Sequence, residues 1–390
     1  MIKKCMLAGI VLLLVSQTQA QIKHPESLTR LVNSTLLYQV LNDFDRTIPL
    51  VLFAPGYFYI GNLNYSKNPL FNESIFYENE ALVKSSEYYQ KEIFDAVDAG
   101  FINYIPADSI MQVRVIEGNL LLFELKFMRK GDTLIFMQTD AEKSRNKTVG
   151  FSLGKVISVS YYDTEAEINY MSHLEGDTLR ISRMIDGKTG KNTRSLMHFE
   201  NGFLSEASFF NMVSGKEQLI SRDLYFMNEI NKPALKQTLN RKGKVTDSTH
   251  YYYDGANLIH YQSFSGSAEK LSISFMYNRN GKVSGKTVKS PVRNYTSDYS
   301  YSNGLISDLE IDDKMKAFRR HFVFASDVGR RLAGLEYSTI AKESMIENLK
   351  TRWLFGYNEV GNIISIKVMD DKGLIAREIK LDYVFYPAAL

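Results

Sequence analysis

From Ile110 to the C-terminus, apolar and polar residues alternate in short runs separated by turn formers such as Lys130-Gly131-Asp132, Glu175-Gly176-Asp177, Asp186-Gly187-Lys188 and Asn280-Gly281-Lys282. A period of two is that of a strand with one face buried, and Gly or Asx between runs supplies the positive φ or local hydrogen bond of a tight hairpin. Leu271, Ile273, Phe275 and Tyr277 share one face, while Ser272, Ser274 and Asn278 take the other. Trp353, Phe355 and Tyr357 follow the same rule, as do Ile379, Leu381, Tyr383 and Phe385. The pattern predicts a mainly β fold, an antiparallel sheet of repeated hairpins over residues 106–390 whose apolar face carries the aromatics.

The text before residue 105 reads differently. Leu28, Leu31, Val32, Leu36, Val40, Leu41 and Phe44 form a helical stripe after His24-Pro25, and a second helix is predicted from a cap at Asn79 to Gly100. Leu50–Phe53 and Tyr57–Ile60 flank Ala54-Pro55-Gly56 as strand, turn and strand. Residues 21–105 are thus expected to be a small mixed α/β region.

Within the sheet region an aromatic couplet recurs. Its second members, Phe199, Phe226, Tyr253, Tyr277, Tyr301, Phe324, Tyr357 and Tyr383, are separated by 27, 27, 24, 24, 23, 33 and 26 residues. A period near 25 is that of stacked units of one hairpin each, and in a near-linear stack damage to one unit stays local. Gly281, Gly304 and Gly361 fall at turn positions expected to be left-handed, and Tyr277, Tyr301 and Tyr357 share a register expected to be at least half buried. The gap of 33 puts its excess on residues 338–352, where Ile340, Met345, Ile346 and Leu349 are spaced as on a helix. One inserted helix covering a sheet edge is the expectation.

The segments Tyr251-Tyr252-Tyr253-Asp254-Gly255-Ala256-Asn257-Leu258-Ile259 and Tyr357-Asn358-Glu359-Val360-Gly361-Asn362-Ile363-Ile364 resemble the YD repeats of Rhs-type bacterial surface and toxin-shell proteins. Asn303-Gly304-Leu305 and Asn280-Gly281-Lys282-Val283 are similar to turns in MORN-like repeats. The resemblance covers residues 195–390 and implies an elongated β scaffold with no particular ligand. Independent aromatic hairpins in a secreted sheet would leave the same marks.

Lys3 and Lys4 precede an apolar run from Met6 to Val15 that ends in Ser16-Gln17-Thr18-Gln19-Ala20, the layout of an export signal over residues 1–20. That run is short for a membrane span, and no transmembrane helix is expected elsewhere. The destination is the periplasm, the outer surface or the medium of a Gram-negative cell. Cys5 lies ahead of the apolar run, so the exported chain has no cysteine for disulfides, thiol catalysis or metal ligation. Without Lys3 and Lys4 the chain has 45 basic and 44 acidic residues, which removes any bulk electrostatic case for nucleic acid. Forty-seven Phe and Tyr with eight Pro suit an aromatic-rich sheet.

Candidate chemistry is sparse. His250 and His260 flank Asp254, but no metal-ligand spacing occurs, and neither metal nor cofactor is expected. Gly150-Phe151-Ser152-Leu153-Gly154 has the form of a nucleophile elbow, which needs a following helix where Val156–Tyr162 reads as a strand. Carboxylate pairs stand at Asp43 and Asp45, Asp312 and Asp313, and Asp370 and Asp371; the last two pairs read as solvated turns. The densest basic group includes Arg319, Arg320, Arg330 and Arg331, an anion patch if they share a face and a guarded sheet edge if they do not. Asp108-Ser109-Ile110, Asp132-Thr133-Leu134 and Asp177-Thr178-Leu179 resemble bacterial O-glycosylation sites. The expected function is a non-catalytic scaffold or binding module of the bacterial envelope or surface, contacting glycan or protein through aromatic side chains. The alternatives are an enzyme acting on envelope glycan and an outer-membrane β-barrel.

Overall fold

The structure, a computed structural model, describes residues 110–385 apart from 132, 143–144, 153–154, 166, 177, 201–202, 231, 256 and 360. The helices and strands expected before residue 105, the carboxylates Asp43 and Asp45, and the export signal lie outside the described residues.

Twenty-two strands follow one another without a helix among the described residues. The first eight are β1 (Ile110–Glu117), β2 (Leu120–Lys130), β3 (Thr133–Asp140), β4 (Arg145–Ser152), β5 (Lys155–Asp163), β6 (Ile168–Glu175), β7 (Leu179–Asp186) and β8 (Lys191–Glu200). Then come β9 (Phe203–Val213), β10 (Lys216–Met227), β11 (Pro233–Asn240), β12 (Val245–Asp254), β13 (Asn257–Ser265), β14 (Ala268–Tyr277) and β15 (Val283–Ser290). The last are β16 (Arg293–Ser302), β17 (Leu305–Asp313), β18 (Phe318–Ser326), β19 (Leu332–Ala341), β20 (Glu347–Tyr357), β21 (Ile363–Met369) and β22 (Ile375–Phe385).

Each strand pairs antiparallel with the next, and β22 pairs antiparallel with β1, so the meander closes on itself. The expected elongated stack is therefore a ring. At the seam Val113 faces Tyr383 and Val115 faces Leu381, and Arg377 clasps Glu117 through two hydrogen bonds of 2.6 and 2.8 Å.

Alternation sorts side chains between an enclosed and an outer face. Leu271, Ile273, Trp353, Phe355, Ile379 and Leu381 are all buried on the enclosed face, together with Phe123, Leu125 and Phe127 from β2. Trp353, Tyr261, Tyr295, Phe127 and Phe322 are the largest side chains almost wholly removed from solvent. Burial of each stabilises the fold by about 1.5–3 kcal/mol, which is why the aromatic positions dictate the face. The outer face carries paired charges: Arg222 with Glu206, Arg319 with Glu310, and Arg352 with Glu336.

The eight recurring aromatics sit near the ends of β8, β10, β12, β14, β16, β18, β20 and β22, one on every second strand. Register shifts fall immediately before the second aromatic in β12, β14, β16 and β20, and such a bulge turns the side chain along the sheet.

The inserted helix is corrected. Residues 338–352 are the end of β19, a turn, and most of β20, with Ile340 opposite Glu347 and Ser338 opposite Leu349. Longer strands and a five-residue turn, 342–346, absorb the extra length. Ser338, Thr339 and Ile340 belong to a strand whose pairing outweighs a helical spacing that rested on four residues.

Candidate functional site

Tyr253, Tyr277, Tyr301, Tyr357 and Tyr383 share one use. Their hydroxyls donate to the backbone carbonyls of Pro233, Leu258, Val283, Leu332 and Ile363 at 2.8, 2.7, 2.7, 2.7 and 2.6 Å. Each acceptor is the first residue of the odd-numbered strand of the preceding unit, or in β13 the second, so every one of these tyrosines ties one hairpin to the one before it. The turn ahead of that strand adds a cation: Lys232 lies over the Tyr253 ring at 5.3 Å, Lys282 over Tyr301 at 5.2 Å and Arg331 over Tyr357 at 4.8 Å. Burial pushes the Tyr253, Tyr357 and Tyr383 hydroxyls well above the usual phenol range, so they remain donors at neutral pH. Phe199 and Phe324 are buried, and Phe226 is 45% exposed.

These turns have a rule that sequence reading missed. Asn228, Asn278, Asp327 and Asn358 accept, through the side chain, the backbone N–H four residues on, and donate their own N–H to that residue's carbonyl. Gly281 and Gly361, third after the Asx, have φ of 71° and 87°, and Gly304 has 77°. In the Asp327 turn the left-handed position falls on Arg330, φ 62°, rather than on Gly329. The signal was an Asx four residues ahead of Lys, Arg or Asn.

The arginines of the expected anion patch stand apart. Arg319 pairs with Glu310 on the outer face, and Arg320 lies over the Phe318 ring. Arg330 donates to the Asn303 carbonyl, while Arg331 pairs with its own turn's Asp327. Asp312 and Asp313 also diverge from the expected solvated turn. Asp312 holds Lys314 and Lys342 on the outer face, whereas Asp313 is buried at the end of β17. Asp370 is a turn residue, accepting from the N–H groups of Lys372 and Leu374. Ser152 ends β4 and pairs with Lys155 at the start of β5, so a hairpin stands where an elbow needs a helix.

Outer-face aromatics gather on β10–β13. Phe226 faces Leu235, and Leu235 faces His250. The His250 ring meets Phe264 edge-on at 5.9 Å, and Tyr252, 46% exposed, stacks on His260 at 5.6 Å and 29°. Ser274 Oγ, 2.9 Å from His260 Nδ1, fixes that ring. His250, Tyr252, His260 and Phe264 thus form an aromatic platform on the outer face, with Phe226 two strands away beyond Leu235. Tyr251-Tyr252-Tyr253 contained the signal, since alternation must turn the middle residue away from its neighbours.

A recess of about 240 Å³ opens at β6–β10 beside Tyr170, Ser182, Met184, Thr193, Ser195 and Phe209. No carboxylate lines it, and Ser182 donates to Ser172 at 2.9 Å. Among the described residues no helix is long and apolar enough to cross a membrane.

No family model and no curated protein matches the chain. Among solved structures, a porin-like protein from Bacteroides uniformis aligns with a TM-score of 0.29 at 9% identity, over 70% of this chain and 96% of that one. A porin-like protein from Bacteroides vulgatus gives 0.24 at 9%, over 70% and 98%. A TcdB2-TccC3-Cdc42 complex gives 0.28 at 10%, over 68% of this chain and 15% of that one. At these TM-scores the likeness carries no argument, and function is read from the chain's own side chains.

Proposed function

We propose that the chain is an exported, non-catalytic binding module of the bacterial envelope, and that the outer aromatic platform on β10–β13 receives a glycan. The observation that supports this is the division of labour among aromatics. Most are committed to the enclosed core or to ties between units, whereas Phe226 and Tyr252 remain exposed on the outer face, Tyr252 stacked on His260. A flat ring with a polar rim suits the C–H face and hydroxyls of a sugar. Tyr252→Ala and Phe226→Ala together are expected to abolish glycan capture while leaving the circular dichroism spectrum and melting temperature near those of the parent. The check is a glycan array read with both proteins; equal retention by the variant, or an array silent for the parent, would remove the glycan reading.

The membrane-barrel alternative requires an apolar outer belt. Here the polarity runs the other way: charge pairs occupy the outer face, including Arg319 with Glu310 and Lys367 near Glu378, and most of the large buried aromatics are enclosed. The enzyme alternative requires two convergent carboxylates. Asp312 and Asp313 point to opposite faces of the sheet, and the recess at β6–β10 has no acid in its walls.

A further inference from the structure

An antiparallel meander places all its odd-to-even turns on one rim and all its even-to-odd turns on the other. Both ends of the described chain, Ile110 and Phe385, pair at the second rim. The first rim has an unusual surface. On five hairpin turns that are consecutive around the ring, apolar side chains project into solvent: Val292 (66% exposed), Met315 (73%), Met345 and Ile346 (57 and 59%), Leu374 (64%) and Leu120 (64%). Pairing of β22 with β1 makes this arc continuous. Among the described turn residues of the opposite rim, Ile230 and Val328 project in this way.

The same rim has a basic stretch. Its turns from β9–β10 round to β1–β2 hold seven basic residues against the acidic Glu343, Asp370 and Asp371: Arg241, Lys242 and Lys244 on the β11–β12 turn, and Lys314, Lys316, Lys342 and Lys372 among the apolar tips, with Lys314 and Lys342 both paired to Asp312. Asp370 directs its carboxylate into its own turn. Lys314 and Lys316 flank the most exposed methionine, Met315.

Single apolar residues on a surface carry no message, but an arc of them on a rim that also carries Lys316, Lys372 and the Arg241-Lys242-Lys244 turn does. Short apolar tips enter the boundary between headgroups and acyl chains, and lysines beside them meet anionic headgroups. We infer that this rim docks on an anionic phospholipid surface, with the tips of the β15–β16, β17–β18, β19–β20, β21–β22 and β1–β2 turns inserted. The strands then stand away from the membrane, and the platform on their outer face stays free for solute.

The experiment is cosedimentation of the full chain with vesicles of phosphatidylglycerol and phosphatidylethanolamine, and with vesicles of phosphatidylcholine alone. Preferential binding to the anionic vesicles, weakening with salt, is expected. Met315→Glu, Ile346→Glu and Leu374→Glu combined should lower the bound fraction at least tenfold, and Arg241→Glu with Lys242→Glu should lower it several-fold. Any contribution of the apolar N-terminal run is common to parent and variants. All substituted positions are exposed, and an unchanged circular dichroism spectrum verifies folding. Absence of binding by the parent, or parental binding by the folded tip variant, would overturn the inference. So would a concentration-dependent dimer of the parent that the tip variant loses without any vesicle effect, since the occupant would then be a second copy. The glycan reading stands or falls separately, because Tyr252 and Phe226 are left unchanged.

Discussion

At the scale of single residues, aromatic type matters less than where the polar end of the ring goes. A tyrosine that donates to the carbonyl opening the preceding unit replaces a hydrogen bond to water, a net contribution of about 0.5–1.5 kcal/mol. Tyr357→Phe or Tyr383→Phe should therefore each cost about 1 kcal/mol while leaving the ring contacts in place, measurable as a shift in urea midpoint at constant slope. An unchanged midpoint would mean that the hydroxyl ties are energetically neutral. Asp298 makes the opposite prediction. It stands directly across from Glu310, and its carboxyl is raised above the usual range by burial first and by the Glu310 charge second. A raised carboxylate binds its proton more tightly in the folded state, so ionisation subtracts stability above the folded value, and that loss fades as pH falls toward the unfolded value. Asp298→Asn should melt higher than the parent near neutral pH, with the difference closing in acid. A variant that melts lower at neutral pH would show that Asp298 has a stabilising partner.

At the scale of strands and turns, alternation was enough to place faces. Leu271 and Ile273 could be oriented from the sequence because each is large and its neighbours are polar, so transfer energy alone selects the face. The aromatic period was legible for a related reason: it counts hairpins, and one recurring aromatic does fall on every second strand from β8 to β22. The spacing of Ile340, Met345, Ile346 and Leu349 misled because a bulge and a turn can imitate a helical period over a few residues. The tyrosine ties stayed hidden because each depends on a carbonyl 18 to 25 residues away, which no local period reports. The platform was half legible. Tyr252 had to face outward, but its meeting with His260 depends on the β12–β13 register.

At the scale of the whole molecule, closure changes what a repeat means. In an open stack the terminal units have one neighbour and fray first, whereas here β1 and β22 are as fully paired as any interior strands. The seam joins residues as far apart as Glu117 and Arg377, 260 positions, so the entropy of closing it must be met by contacts spread along both strands. The Arg377 hydrogen bonds hold the Glu117 carboxyl below its usual range against the opposing effect of burial, so the clasp persists at neutral pH and weakens only as pH falls through that lowered value. Deleting β22 by ending the chain after Asp370 would expose the backbone edges of β1 and β21 and uncover Val113, Val115 and Ile366. Two long unpaired edges beside apolar side chains are a template for pairing with another molecule. The truncated chain is therefore expected to self-associate at concentrations where the full chain is monodisperse, and hydrogen exchange should rise in β1 and β21 before it rises in β8 or β9. Sedimentation velocity and exchange mass spectrometry measure the two effects. A monodisperse truncated chain with parental protection in β1 would mean that the ring does not depend on its seam.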